Sequence, residues 1–376
     1  MGLPDVMTAV RLSGYGGLDK LEYRTDVPTP RPRAGEVVVR VTAAGMNNTD
    51  INTRTGWYNS AVQDGTTEEG GVSGFAVSTD GMGDWAGDIA FPRIQGADCV
   101  GRIAAVGEGV DPQRLGERVV CDPYVYDPDD PDWLEKAGFL GAEFDGAFAQ
   151  FTRLPARNAI HVRDDLPVSD AQLATLPCSG GTAMNMMLMA GLRASDVVLV
   201  TGASGGVGTF LIQIAKHYGA EVVAVCSDSK AEAVREVGAD GVIDRGAVDH
   251  AAAALKATQG RRFTLIADVV GGARFRDYLS LLKRGGRYVT AGAIAGPHVD
   301  LDLRTLYLKN LSFFGSTAYW PETFPRLIEV LNAGALEPAV AATRPLSEIR
   351  EAQTEFLGKT HVGSMVLIPP QLEGAA

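Results

Sequence analysis

Residues 6–58 alternate apolar and polar positions in short runs. MTAVRLSGYG, LEYRTDVP and EVVVRVTAAGM are punctuated by glycine, proline and aspartate, a pattern that predicts short strands joined by turns. Residues 59–91 lose that period and become glycine-rich, which predicts an inserted loop, either functional or a solvated decoration. Strand patterns return in GADCVGRIAAVGEGV and GERVVCDP. A second irregular stretch, DPYVYDPDDPDWLEKAGFLGAEFDG, is acidic and proline-rich and predicts a surface excursion. The first 160 residues therefore read as all-β with two long loops.

The texture then changes. SDAQLATLPCSGGTAMNMMLMAGL carries apolar residues at three- and four-residue spacing behind Ser169, a suitable N-cap, and predicts a helix. From Val197, six apolar strands (VVLVT, EVVAVC, GVID, LIADVV, RYVTAG, LSFFGS) alternate with amphipathic stretches such as GTFLIQIAKHYG. That alternation predicts an α/β fold built on a doubly wound, parallel six-stranded sheet. The tail from Pro321 holds one helix, ETFPRLIEVLNAG, and one short strand, SMVLI, expected to return to the β-rich part.

Composition narrows the function classes. A chain of 376 residues suits two domains, and 45% hydrophobic with 21% charged residues provides ample core. A net charge of −12 argues against nucleic acid or an anionic membrane as main partner, without excluding a locally positive pocket. Cys99, Cys121, Cys178 and Cys226 lie far apart, so neither a zinc ribbon nor a disulfide framework is expected. Free thiols, no signal-peptide pattern at the N-terminus and no apolar run of about 18–20 residues lead us to expect a cytoplasmic protein.

The strongest chemical signal is VLVTGASGGVGTFLIQIAKHYGAEVVAV. A buried strand runs into Gly202, Gly205, Gly206 and Gly208 and then into a helix. Glycines let the backbone approach a pyrophosphate, and the helix start offers free N–H groups. The candidate turn is Ala203, Ser204, Gly205, Gly206, Val207 and Gly208; the bland alternative is a glycine-rich helix start without a ligand. Where an acid would select NAD, the second strand ends in Cys226, followed by Ser227, Asp228, Ser229 and Lys230. Ser227, Ser229 and Lys230 can hold a 2′-phosphate, so NADPH is expected over NADH. Asp228 would oppose it unless turned away, and Lys230 can instead be a solvated lysine. A further stretch, GMNNTDINTRTGWY, is either a polar loop or the floor of an active site.

The β-rich first half, the AxxGGVG turn and the returning tail resemble the medium-chain dehydrogenase/reductase superfamily. GMNNTDINTRTGWY is similar to the zinc-free quinone oxidoreductase segment G-x-N-x-x-D-x-x-x-R-x-G-x-Y, with Gly45, Asn47, Asp50, Arg54, Gly56 and Tyr58 in register. QGADCVGRIAAVGEGV, GERVV, DGAFAQF and HVGSMVLI add matches. The resemblance implies a GroES-like catalytic domain over residues 1–162 and 321–376 and a Rossmann domain over 163–320. It also implies that Thr182, Val270, Gly292 and Ala293 join the cofactor site. In zinc alcohol dehydrogenases the Asn47 position carries a cysteine and the Ala97 position a histidine. Only Cys178 stands where a third ligand would be, and 122–145 lacks the cysteines of a structural zinc lobe. No zinc is therefore expected.

The implied activity is NADPH-dependent hydride transfer to the β-carbon of an α,β-unsaturated carbonyl, or to a quinone. Asn47, Asp50 and Tyr58 are the catalytic candidates; Trp57, Arg54 and Cys178 are the pocket candidates, with Trp85 and the 59–91 loop as further walls. Asp50 and Arg54 can equally pair with each other or cap local backbone, and Asn48 and Asn52 read as turn residues. Alternatives are an enoyl-CoA-type reductase, a zinc-type alcohol dehydrogenase with divergent ligands, and an inactive nucleotide-binding sensor. The segment NLSFFGST lies where relatives pair sheet edges, implying a homodimer.

Overall fold

A computed structural model describes residues 2–75 and 89–372. The nucleotide half is a six-stranded parallel sheet in the order Gly241–Asp244, Glu221–Cys226, Val197–Val200, Phe263–Asp268, Leu282–Thr290, Ser312–Gly315. The central strand Val197–Val200 is buried throughout, as expected of a parallel strand covered on both faces. Strand order reverses on either side of it, so its C-terminal end is a switch point where α/β folds place ligands.

The first half is built on antiparallel pairing. Strand Glu36–Met46 pairs with Val100–Val106 and Phe151–Pro155, and its end pairs with Ser364–Ile368. The tail thus returns to the first half: Ser364–Ile368 lies between Glu36–Met46 and Val340–Pro345, itself an alternately exposed edge strand. The amphipathic helix Thr323–Asn332 packs instead on helix Gly181–Met189, adding Phe324, Leu327 and Leu331 to the core that includes Leu211 and Val200.

Two expectations change. The long loop is not structureless over its described part: Thr67 caps a short helix, Glu68–Ser73, through the Gly70 N–H. Residues 76–88, including Trp85, lie outside the described residues. The helix expected behind Ser169 is real only in pieces. Ser169 caps Asp170–Leu173, a widened turn follows over Leu176–Gly180, and helix Gly181–Met189 then resumes. Pro177 has no N–H to give the ladder, and the Cys178 N–H leaves it for the Asp98 carboxylate, 2.6 Å away. Among the described residues no helix is long and apolar enough to cross a membrane.

Candidate active site

Helix Asn48–Thr55 starts beneath the site, and its first turn is fixed by a carboxylate. Asp50 accepts the Asn47 backbone N–H at 2.8 Å and also the backbone N–H groups of Gly96 and Ala97. Gln95 donates to the Asp50 carbonyl. Asp50 was expected to be catalytic; its carboxylate instead caps local backbone, the alternative already open from the sequence.

The Asn47 side chain is held from both ends. Its Nδ2–H donates to Asp98 Oδ2 at 2.8 Å, and its Oδ1 accepts from the Ser179 hydroxyl at 3.1 Å. The second Nδ2–H has no partner among the described residues. Space for Asp98 is reserved by Gly45, where a Cβ would stand 2.2 Å from Asp98 Oδ2 and 2.1 Å from the Ala174 carbonyl oxygen. Tyr58 donates its hydroxyl to Thr49 Oγ1 at 3.2 Å, over the same first helical turn. Burial raises its pKa, and the Cys178 thiol lies within electrostatic reach of it. Burial first, then Asp98, pushes the Cys178 thiol up, so it is protonated at neutral pH. The Tyr319 hydroxyl, 2.8 Å from both the Pro177 and Cys178 carbonyls, and Thr182 secure the widened turn from below.

Of the pocket candidates, Arg54 lies away from the site and Trp57 at its edge. Arg54 is fully buried and donates to Gln353 Oε1, the Gly16 carbonyl and the Gly71 carbonyl, with no carboxylate paired to it among the described residues. It pins the first hairpin, the Glu68–Ser73 helix and the Ile349–Leu357 helix together, and does not pair with Asp50. Trp57 turns its indole N–H to the Asp64 carbonyl and packs edge-on against Tyr58, a wall beside the tyrosine.

The glycine turn fits a dinucleotide. Gly202 is left-handed, with φ +57, and a Cβ on Gly208 would strike the Gly202 carbonyl oxygen at 2.3 Å. Helix Gly206–His217 opens on Gly205, which supplies no side-chain cap, so its first N–H groups are available to an anion. The Gly363 N–H bonds the Ser204 carbonyl, and Gly205 bridges Gly363, so the returning tail forms the facing wall. Val270 and the 291–296 segment, with Gly292 and Ala293, close the adjoining strand ends, where the Ala295 N–H meets the Val270 carbonyl. Ser227 and Ser229 hydroxyls lie 3.3 Å apart. Lys230 reaches across the cleft to the Lys359 and His361 carbonyls, both at 2.7 Å. Asp228 is exposed.

Asp98, Ser179, Tyr319 and Lys359 went unrecognised in the sequence. Asp98 alone had a signal there, an acid entering an apolar strand in GADCVG. Lys359 is left-handed, stacks over the Phe356 ring at 3.6 Å and donates to Asn48 Oδ1; burial, then Lys230, brings its pKa down to about 7.

Asp50 and Asp98 are each pushed up to about 7 by burial. At these two groups the folded chain therefore keeps protons that the unfolded chain releases near pH 4, and their contribution to stability falls as pH rises from about 4 to 7. At about 1.4 kcal/mol per unit, Asp98→Asn is expected to remove roughly 2–3 kcal/mol from the fall in unfolding free energy between pH 5 and 8. Urea titrations at those two pH values check it; an unchanged slope refutes it.

Two family models match the chain: an alcohol dehydrogenase GroES-like domain over residues 33–164 and a zinc-binding dehydrogenase over 206–333. A solved structure from Sinorhizobium meliloti 1021, provisionally named an alcohol dehydrogenase, is 46% identical, with 98% of each chain covered and a TM-score of 0.88. An NAD-dependent alcohol dehydrogenase of Sulfurisphaera tokodaii is 28% identical, covering 96% of this chain and all of its own. An acryloyl-coenzyme A reductase of the same organism is also 28% identical, with the same coverage. Among the described residues, no group of three or more His, Cys, Asp or Glu is placed to hold a metal ion.

Proposed function

The chain belongs to the medium-chain dehydrogenase/reductase superfamily of oxidoreductases, and on that footing we propose that it reduces an α,β-unsaturated carbonyl or a quinone with NADPH and without zinc. The observation that carries the reading is the Asn47 carboxamide, buried, with one N–H held and the other open. Ala97 offers no donor atom, and Cys178 alone falls short of the roughly three protein ligands of a catalytic zinc. Without a Lewis acid, alkoxide chemistry is poorly served, whereas an enolate can be stabilised by hydrogen-bond donors.

The nicotinamide, when bound, supplies the hydride to the β-carbon. The chain's own residues do the rest. The glycine turn fixes the pyrophosphate, and the Asn47 N–H, joined by the Tyr58 hydroxyl when that turns from Thr49 to the substrate, stabilises charge developing on the carbonyl oxygen. The raised pKa keeps Tyr58 protonated, a donor rather than a base, and the α-carbon takes its proton from it or from water. A spectrophotometric assay with NADPH, a panel of enals, enones and quinones, and a chelator tests this. Chelator-insensitive NADPH oxidation is expected; activity lost to the chelator, or cofactor binding without turnover, would sink it.

The full-length likeness to an acryloyl-coenzyme A reductase favours a second reading, in which the unsaturated carbonyl is an enoyl thioester. Adding short enoyl-CoAs to the panel separates the two. For the cofactor, Cys226 in place of an acid and Lys230 beside Ser227 and Ser229 support NADPH. Lys230→Ala is expected to weaken NADPH about tenfold, the loss of roughly one charged hydrogen bond, and NADH by less than about twofold. Equal weakening would make Lys230 a tie to the 359–361 carbonyls only. The same reading includes a homodimer through the Ser312–Gly315 edge, supported by the exposed Leu303, Tyr307 and Leu308 beside it. Light scattering at the monomer mass would remove it.

A further inference from the structure

Asp98 belongs neither to the glycine turn nor to the donor pair, yet it touches the part of the site that must be oriented. It is 1% exposed, and no cation pairs with it among the described residues. Each oxygen has one donor: the Asn47 amide on Oδ2 and the Cys178 backbone N–H on Oδ1. Above about pH 7, where Asp98 is ionised, its carboxylate only accepts, so it admits only the nitrogen end of the Asn47 carboxamide and leaves the oxygen end to the Ser179 hydroxyl. That hydroxyl lies 2.5 Å from where a Cβ on Gly206 would stand, so the contacts run from Asp98 through Asn47 and Ser179 to the cofactor turn.

We propose that Asp98 is the positioning residue of this site: its acceptor-only carboxylate sets which way the Asn47 carboxamide is turned, and so presents the second amide N–H to the substrate oxygen. This rests on the reductase reading above. Its consequence is a reciprocal exchange. Asp98→Asn places a donor against a donor, and Asn47→Asp places two carboxylates face to face. Combining them restores every bond of the set: the new amide donates to the new carboxylate, the Cys178 N–H keeps an oxygen, and Ser179 keeps its acceptor. The pair does not restore the open N–H at position 47.

The experiment measures kcat, NADPH affinity and thermal midpoint at about pH 8, where Asp98 is ionised, for the two single variants and the combined one. Each single variant is expected to lower the midpoint and to reduce kcat at least about tenfold, as for a lost oxyanion donor, with NADPH affinity within about threefold. The combined variant should recover the midpoint while kcat stays low. Recovery of kcat together with the midpoint would overturn the proposal, since the open N–H would then be idle; so would an Asp98→Asn variant indistinguishable from the parent. Failure of the reductase reading looks different, as NADPH binding without turnover in the unaltered chain. In that case the midpoint decides: recovery upholds the pairing, and no recovery overturns it.

Discussion

Arg54→Ala is expected to cost about 3–5 kcal/mol of stability, the upper range for a single substitution, because three charge-assisted hydrogen bonds are lost and their buried acceptors are stranded. The guanidinium is fully buried, with burial bringing its pKa down to about 10, and the Gly16 carbonyl, the Gly71 carbonyl and Gln353 all face it. Lysine should not substitute, since one ammonium cannot reach acceptors spread around a planar fork. Thermal unfolding is the measurement, with a drop of roughly 4–6 °C expected for a chain of 376 residues. A change below about 1 °C would mean that these carbonyls find water and that Arg54 ties nothing together.

Asn47→Ala is expected to lower kcat on the order of a hundredfold or more, the usual consequence of removing a donor aimed at a developing oxyanion, worth about 2.7–4 kcal/mol. NADPH affinity should stay within a few-fold, because the glycine turn contacts Asn47 only through Ser179. The helix beneath should survive, since the Asp50 half of its capping box, on the Asn47 backbone N–H, remains when the Asn47 half is lost. Stopped-flow turnover with a fluorescence titration separates the two quantities. Turnover near that of the parent would remove Asn47 from the chemistry and leave Tyr58 alone as the donor.

What was legible in the sequence was what depends on neighbours along the chain. The central strands Val197–Val200, Glu221–Cys226 and Phe263–Asp268 are apolar because both faces are covered, so each announces itself in four to six residues. The Ser169 cap, the glycine turn and the absence of an acid at Cys226 are local as well. What was missed depends on distant partners. Arg54 looked like a pocket residue because its motif neighbours are polar, but one of its acceptors, Gln353, lies 299 positions away. The widened turn at Leu176–Gly180 read as plain helix because its cause is Asp98, 80 positions earlier. Lys359 follows a helix end with nothing around it to suggest that Lys230 would hold its carbonyl.

The position of Ser364–Ile368 inside the first sheet carries a cost during synthesis. Met46 and Gly45 pair with Met365 and Val366, so the end of strand Glu36–Met46 stays unmatched until about 320 further residues have been made. At about 5–20 residues per second, that interval is on the order of 15–60 s. The six nucleotide-half strands, contiguous from Val197 to Gly315, can close before then. The pairings of strand Glu36–Met46 with Val100–Val106 and Phe151–Pro155 can form early, but its apolar end is completed only after the nucleotide-half sheet has been made.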